Sequence, residues 1–171
     1  MEFESRYASV DEYLLMSAKK TGSLFEFCFE VSSLVSNDYL EFKSQLKELG
    51  RNLGIIFQIQ DDILEMSTSS DNMGKGTSSD IERKKKTILS SMALDYDKEK
   101  WSSLQSKIED FSLEEKKVML KEYYVSSGII DSSNELLLNL ENKCKDIIKL
   151  LPDKIHNDMN HLLNIIIKRK N

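Results

Sequence analysis

Proline and glycine are scarce in this chain, and the shortage limits its architecture. One proline, Pro152, and six glycines in 171 residues leave few points at which a long helix must stop. Cysteine is almost as rare. Cys28 and Cys144 both fall in helical patterns, which suits reduced, buried thiols and disfavours a disulfide. His156 and His161 lie five residues apart, off a common helical face, so they do not make a zinc pair. No run approaches the roughly 20 apolar residues that span a bilayer. The start, Met1-Glu2-Phe3-Glu4-Ser5, has neither the basic opening nor the apolar core of a secretion signal. A net charge of −5 argues against a general nucleic-acid binder. What remains is a soluble globular composition, 40% hydrophobic and 31% charged, long enough for one domain over residues 1–171 and expected in the cytoplasm.

The helical pattern is continuous. Ser9-Val10-Asp11-Glu12 has the reciprocal capping form S-x-x-E and predicts a helix running to about Val35. Along it Leu14, Ala18, Thr21, Phe25 and Cys28 recur at helical spacing, so Thr21 is expected on the buried stripe. Lys20 lies between Met16 and Leu24 at i±4 and either snorkels outward or reaches into a cavity. Ser36-Asn37-Asp38 marks a break before a helix to about Met66, followed by a polar loop from Ser67 to Ser79. A short helix follows Thr87. Trp101 to Phe111 and Leu113 to Ser126 read as two more, and Ser127-Gly128 is a helix stop. The remaining helices run from about Ser132 to Leu150 and through Leu162, Leu163, Ile166 and Ile167. No segment alternates as a strand does. The fold class is all-α.

The chemistry concentrates in Phe57-Gln58-Ile59-Gln60-Asp61-Asp62-Ile63-Leu64-Glu65. At 100° per residue, Gln58, Asp61, Asp62 and Glu65 share an arc of roughly 100°. Gly50 and Gly54 lie on the same side and leave room for a ligand or another helix. The opposite arc, from Leu46 to Leu64, is apolar over roughly 200°, twice what a surface helix needs. Carboxylates at i, i+1 and i+4 often form nothing more than a solvated face. On a helix built for burial, however, they repel and are costly to desolvate unless a cation joins them. Carboxylate oxygens suit magnesium. Gly74-Lys75, Asp80 and Lys84-Lys85-Lys86-Thr87 follow, and lysines beside an acidic helix face suit a diphosphate held through magnesium. A surface cluster is the plainer reading of Lys84 to Lys86.

Taken together, these residues resemble the trans-type isoprenyl diphosphate synthases, or polyprenyl synthetases. Phe57 to Glu65 is similar to that family's second aspartate-rich motif, F-Q-x-x-D-D-x-x-D. Gly74-Lys75, Ser79-Asp80-Ile81, Lys85 and Thr87 resemble its G-K … D … K-x-T tail. Lys20-Thr21-Gly22-Ser23-Leu24-Phe25 resembles its K-T-G-x-L-F helix. The likeness runs from about Tyr13 to Lys170.

The resemblance implies an isoprenoid-synthase-type helical bundle and magnesium-dependent transfer of a prenyl group from an allylic diphosphate to isopentenyl diphosphate. It assigns Asp61 to a metal ion, with Asp62 and Glu65 in support. Lys20, Lys75 and Lys85 would hold the allylic diphosphate. Thr21 and Gln58 would present oxygens to the allylic cation, and Phe57 would touch isopentenyl diphosphate. Two positions depart from the pattern: Glu65 stands for the third aspartate, and Lys84 stands where a glycine precedes the later lysine. The family's first aspartate-rich motif and its arginines have no counterpart in these 171 residues. The chain therefore resembles the C-terminal half of a family member, a single partial domain. It is expected to act only with an N-terminal half, as a homo- or hetero-oligomer, or alternatively as a non-catalytic regulatory or assembly subunit of a complete synthase.

Overall fold

Side-chain caps set half of the helix starts. In a computed structural model that describes residues 8–36, 39–67, 81 and 85–168, eight α-helices can be followed. They are α1 (Val10–Ser17), α2 (Ser23–Ser36), α3 (Lys43–Ser67), α4 (Ile88–Tyr96), α5 (Lys98–Lys107), α6 (Leu113–Ser126), α7 (Ile129–Lys149) and α8 (Asp153–Ile167). No strand occurs among the described residues. The predicted Ser9 box forms: the Glu12 carboxylate accepts from the Ser9 N–H at 2.9 Å, and Ser9 Oγ accepts from the Glu12 N–H at 3.3 Å. Thr87 with Ser90 and Ser112 with Glu115 make two more reciprocal boxes. Such caps satisfy N–H groups that a helix start leaves without a partner. Gly128, at φ 73°, supplies the left-handed residue between α6 and α7.

Several boundaries differ from the sequence reading. The helix expected over Trp101–Phe111 runs from Lys98 to Lys107 and leaves Phe111 exposed. The helix expected from Ser132 begins at Ile129, directly after the left-handed glycine. The cap expected at Asn37-Asp38 lies outside the described residues. A single 3₁₀ turn, Leu40–Phe42, leads into α3.

The chain divides into two compact units. One takes in residues up to Tyr13 and Asp61–Asn134, the other Leu14–Gln60 and Glu135–Lys170. The second holds an apolar core: Leu46, Leu49, Leu53 and Ile56 of α3 pack with Cys144, Ile147 and Ile148 of α7, with Leu151, and with Leu163 and Ile166 of α8. The amide of Gln60 donates to the carbonyl of Ile167 at 3.2 Å and satisfies the last turn of α8. The space above Gly50 and Gly54 is taken by another helix. A Cβ on Gly50 would lie 2.8 Å from the Phe25 carbonyl oxygen, and one on Gly54 2.5 Å from the Cα of Gly22. The two backbones touch because neither position carries a side chain. In the first unit, Trp101, Tyr123 and Tyr124 form an aromatic cluster with ring centroids 5.8–6.2 Å apart.

Between α1 and α2 the helix makes one π turn, Ala18–Gly22. It explains the one cysteine that departs from expectation. Tyr13, Ser17, Gly22 and Ser33 are buried, with Phe25 and Phe29 half-buried between the last two. That stripe steps by five residues from Ser17 to Gly22, the spacing of a π turn. A uniform 3.6-residue period places Cys28 inside; the extra residue puts Phe29 there and leaves Cys28 exposed. Both cysteines are free thiols, and burial pushes the Cys144 thiol up to about 12.

Two outcomes follow from this packing. Gly54→Ala should destabilise the protein by about 1–3 kcal/mol, because a methyl group there meets backbone rather than a movable side chain; denaturant midpoints measure this. Ellman's reagent at pH 8.5 should titrate one thiol, Cys28, with Cys144 reacting only on unfolding.

Candidate functional site

The π turn presents two of the residues singled out from sequence. Lys20 is exposed, in line with the snorkelling alternative, while Thr21 is half-buried. The Thr21 hydroxyl donates to Oε1 of Gln58 at 3.1 Å. Gln58 is 6% exposed, so this is an inward-facing polar pair tying the π turn to α3. One turn is wider than its neighbours here, which brings Thr21 into line with Gly22 against α3 and lets it reach Gln58. Phe57, the residue before, stacks against Phe25 with ring centroids 6.2 Å apart. Its ring is half-buried and packs on the apolar core.

Farther along α3 the two adjacent aspartates part company. Neighbouring residues on a helix are separated by about 100° and cannot face the same surroundings. Asp62 is 3% exposed and Asp61 half-buried. Oδ2 of Asp62 accepts from the Tyr13 hydroxyl at 2.7 Å and from the Ile88 N–H at 3.0 Å. Oδ1 lies 3.7 Å from Nζ of Lys85. The Asp62 carboxylate therefore holds α1, the first turn of α4 and the segment before it. Its charge sits at a helix N-terminus, where the backbone dipole favours an anion. The Tyr124 phenol is pushed well up from its ordinary value, first by burial, then by Tyr123 and the nearby Asp62 charge.

Each remaining residue can be placed in turn. Glu65, one turn beyond Asp61, is half-buried. Lys85 pairs with Asp62, and Thr87 caps α4, its Oγ1 accepting from the Ser90 N–H at 3.2 Å. The K-x-T spacing thus has a structural account: lysine on the buried carboxylate, then a threonine cap two residues later. Lys75, Asp80 and Lys84 lie outside the described residues. Sequence reading missed Tyr13 as the partner of Asp62; its place at the buried edge of α1 was the available hint. No three His, Cys, Asp or Glu side chains come together in a metal-ligand group among the described residues. Asp61 and Glu65, hard oxygen donors at i and i+4, fit one side of a magnesium coordination sphere and not a whole one.

The described residues form only helices and turns, and comparison with known proteins identifies the fold as the isoprenoid-synthase type. The polyprenyl synthetase family matches residues 1–125. A short chain isoprenyl diphosphate synthase of Methanocaldococcus jannaschii is 41% identical over 103 residues, 58% of this chain and 32% of that protein. A geranylgeranyl diphosphate synthase of Sulfolobus acidocaldarius is 35% identical over 150 residues, 87% of this chain and 39% of that one. The crystal structure of a geranylgeranyl pyrophosphate synthetase from Pyrococcus horikoshii superposes with a TM-score of 0.75 at 29% identity, covering 98% of this chain and 51% of that one. The chain belongs to the polyprenyl synthetase family, and it spans about half the length of its solved relative or less of the others.

The split between the aspartates is open to measurement. Asp62→Ala strands a buried hydroxyl and a buried N–H and should cost about 2–6 kcal/mol in chemical denaturation. Asp61→Ala should stay within about 1 kcal/mol of the parent.

Proposed function

We propose that this chain supplies the second aspartate-rich half of a prenyl-transfer site. The observation that carries the reading is the Thr21–Gln58 hydrogen bond. It orders two neutral oxygens, Thr21 on the π turn and Gln58 on the helix that bears Asp61 and Glu65, while the family relationship gives the reaction class. In this reading Asp61, with Glu65 behind it, holds magnesium on the diphosphate of an allylic substrate. Magnesium supplies the Lewis acidity that stabilises negative charge on a departing diphosphate.

The chain's own residues do the rest. Lys20, exposed on the π turn, and Lys75 give ammonium donors to diphosphate oxygens. Lys85 is spent largely on Asp62 and contributes charge rather than a direct donor. Asp62 is a positioning residue: it fixes the end of α3 against Tyr13 and Ile88. Thr21 and Gln58 turn fixed dipoles toward positive charge that develops on the allylic carbon, a preorganised arrangement that costs no rearrangement when the charge appears. Phe57 offers an apolar wall for the incoming isopentenyl diphosphate, and apolar surroundings exclude the water that would quench the cation.

The counterpart of this half is the first aspartate-rich motif with its arginines, which is absent from these residues. The reading therefore requires a further polypeptide stretch that carries this motif to complete the metal site. Exposed apolar residues on α2, Leu24, Phe27, Leu34 and Val35, support association, since apolar surface of this kind marks contact faces. No helix among the described residues is long and apolar enough to cross a membrane, and a cytoplasmic location goes with the reading.

Transfer of labelled isopentenyl diphosphate in the presence of magnesium tests it. The chain alone should be silent, and mixing with a separately produced N-terminal half should give product. Asp61→Ala should lower the rate about 10²–10³-fold, the scale of losing a transition-state charge contact. Turnover by the chain alone overturns the need for a partner. Association without turnover points instead to a regulatory subunit.

A further inference from the structure

Helix α2 is apolar on two opposite sides, and only one of them has a partner. Phe25 and Phe29 pack against the core of the second unit, and Ser33 beyond them is buried. On the other side Leu24, Phe27, Val31, Leu34 and Val35 are 37–80% exposed, although they fall within an arc of roughly 100°. Fourteen large apolar side chains are exposed among the described residues; five lie on α2, and no other helix carries more than two. A stripe of this width is what a surface helix turns toward a core. With one on each side, α2 is built to be interior.

The rim of the stripe narrows what can cover it. Glu26 and Glu30 are the only charged residues of α2, and both are tied back to Lys43 and Lys47 of α3 at 2.8–3.5 Å. The opposite rim is Cys28, Ser32 and Ser36. A helix that lies on a lipid surface carries lysine and arginine beside its apolar face; α2 has neither. The stripe suits a neutral, apolar protein surface. Length points to its source. The Pyrococcus horikoshii structure takes in 98% of this chain but only 51% of its own, so nearly half of that relative has no counterpart in these residues.

We propose that the stretch carrying the counterpart motif, joined to this chain or separate, docks through an amphipathic helix laid along α2 and buries Leu24, Phe27, Val31 and Leu34. These positions alternate three and four apart, the spacing at which a facing helix inserts its own apolar side chains. Resting on the prenyl-transfer reading, this placement also sets one end of the covering helix beside that site: the stripe begins four residues after Lys20, which is exposed on the π turn.

Cys28 reports on docking without any turnover. It is exposed and lies between Leu24 and Val31 at the edge of the stripe, whereas Cys144 is buried and serves as internal reference. The full chain is co-expressed with the part of the Sulfolobus acidocaldarius synthase that it leaves unmatched. Alkylation of Cys28 by N-ethylmaleimide is then followed in the purified complex and in the chain alone. Docking should slow it at least about tenfold, since reaction requires access to the thiol. Phe27→Glu should weaken association at least about 30-fold, the scale of losing an aromatic interface anchor. Val125→Glu, at an exposed valine of α6, should leave association unchanged, with circular dichroism confirming the fold of both variants. Absence of a complex, a complex in which Cys28 reacts as in the free chain, or Phe27→Glu behaving as the parent overturns the proposal. Protection of Cys28 in a dimer of the chain alone overturns it too and assigns the face to a second copy. Protection without label transfer sinks the prenyl-transfer reading and leaves the docking in place; transfer with Cys28 still open does the reverse.

Discussion

A buried carboxylate is the constraint on which the first unit depends. Asp62 is taken out of water, and an ionised group so placed is stable only when hydrogen-bonded and compensated. It receives the Tyr13 hydroxyl, the Ile88 amide and the Lys85 ammonium group. These donors come from three separate stretches of sequence, so one side chain sets where α1 ends its entry into the unit, where α4 starts and how the segment before α4 lies. The Thr87 capping box then needs to organise only its own turn. Removing any of the three donors leaves the same charge short of a partner, which makes the arrangement all-or-none rather than a sum of contacts.

This division separates what a D-D-x-x-E sequence does for the fold from what it offers a ligand. One aspartate of the pair is consumed by structure. The other lies with Glu65, a turn later, on a half-buried face. The same division runs through the polar residues of the π turn, where Lys20 faces solvent and Thr21 faces Gln58. Catalytic geometry in this family reading rests on groups that are held by others: Gln58 by Thr21, Asp61 by the placing of its neighbour.

Much of this was legible in the sequence. The capping box at Ser9 declared a helix start, the apolar arc of α3 declared a central helix, and Gly128 declared a stop. The site was legible as a set of residue types and spacings, and not as a set of roles. Spacing cannot tell that Asp62 points to Tyr13, a partner 49 residues away, because the choice between two adjacent aspartates is made by what packs against each. Nor can a uniform helical period reveal the π turn. The inserted residue rotates everything after Gly22 by about 100° relative to everything before it, which is why Cys28 read as buried and Phe29 did not stand out. Gly50 and Gly54 were correctly seen as an opening; that a backbone and not a ligand fills it depends on Gly22, a residue no local pattern links to them.

The Gln60–Ile167 hydrogen bond spans 107 positions of sequence, and the core of the second unit is closed by the same distant segments. This has a consequence for how the protein is made. At roughly 5–20 residues per second of synthesis, α3 leaves the ribosome on the order of 5–20 s before α8 exists to cover it. Until α7 emerges, Leu49, Leu53 and Ile56 lack most of the partners of their core. Closing so long a loop adds little to the thermodynamic cost, since loop entropy grows only logarithmically with length. The delay is kinetic. The nascent chain carries the apolar face of this helix partly uncovered until α7 and then α8 are made, and the cell's chaperones meet that face before its intended partners do.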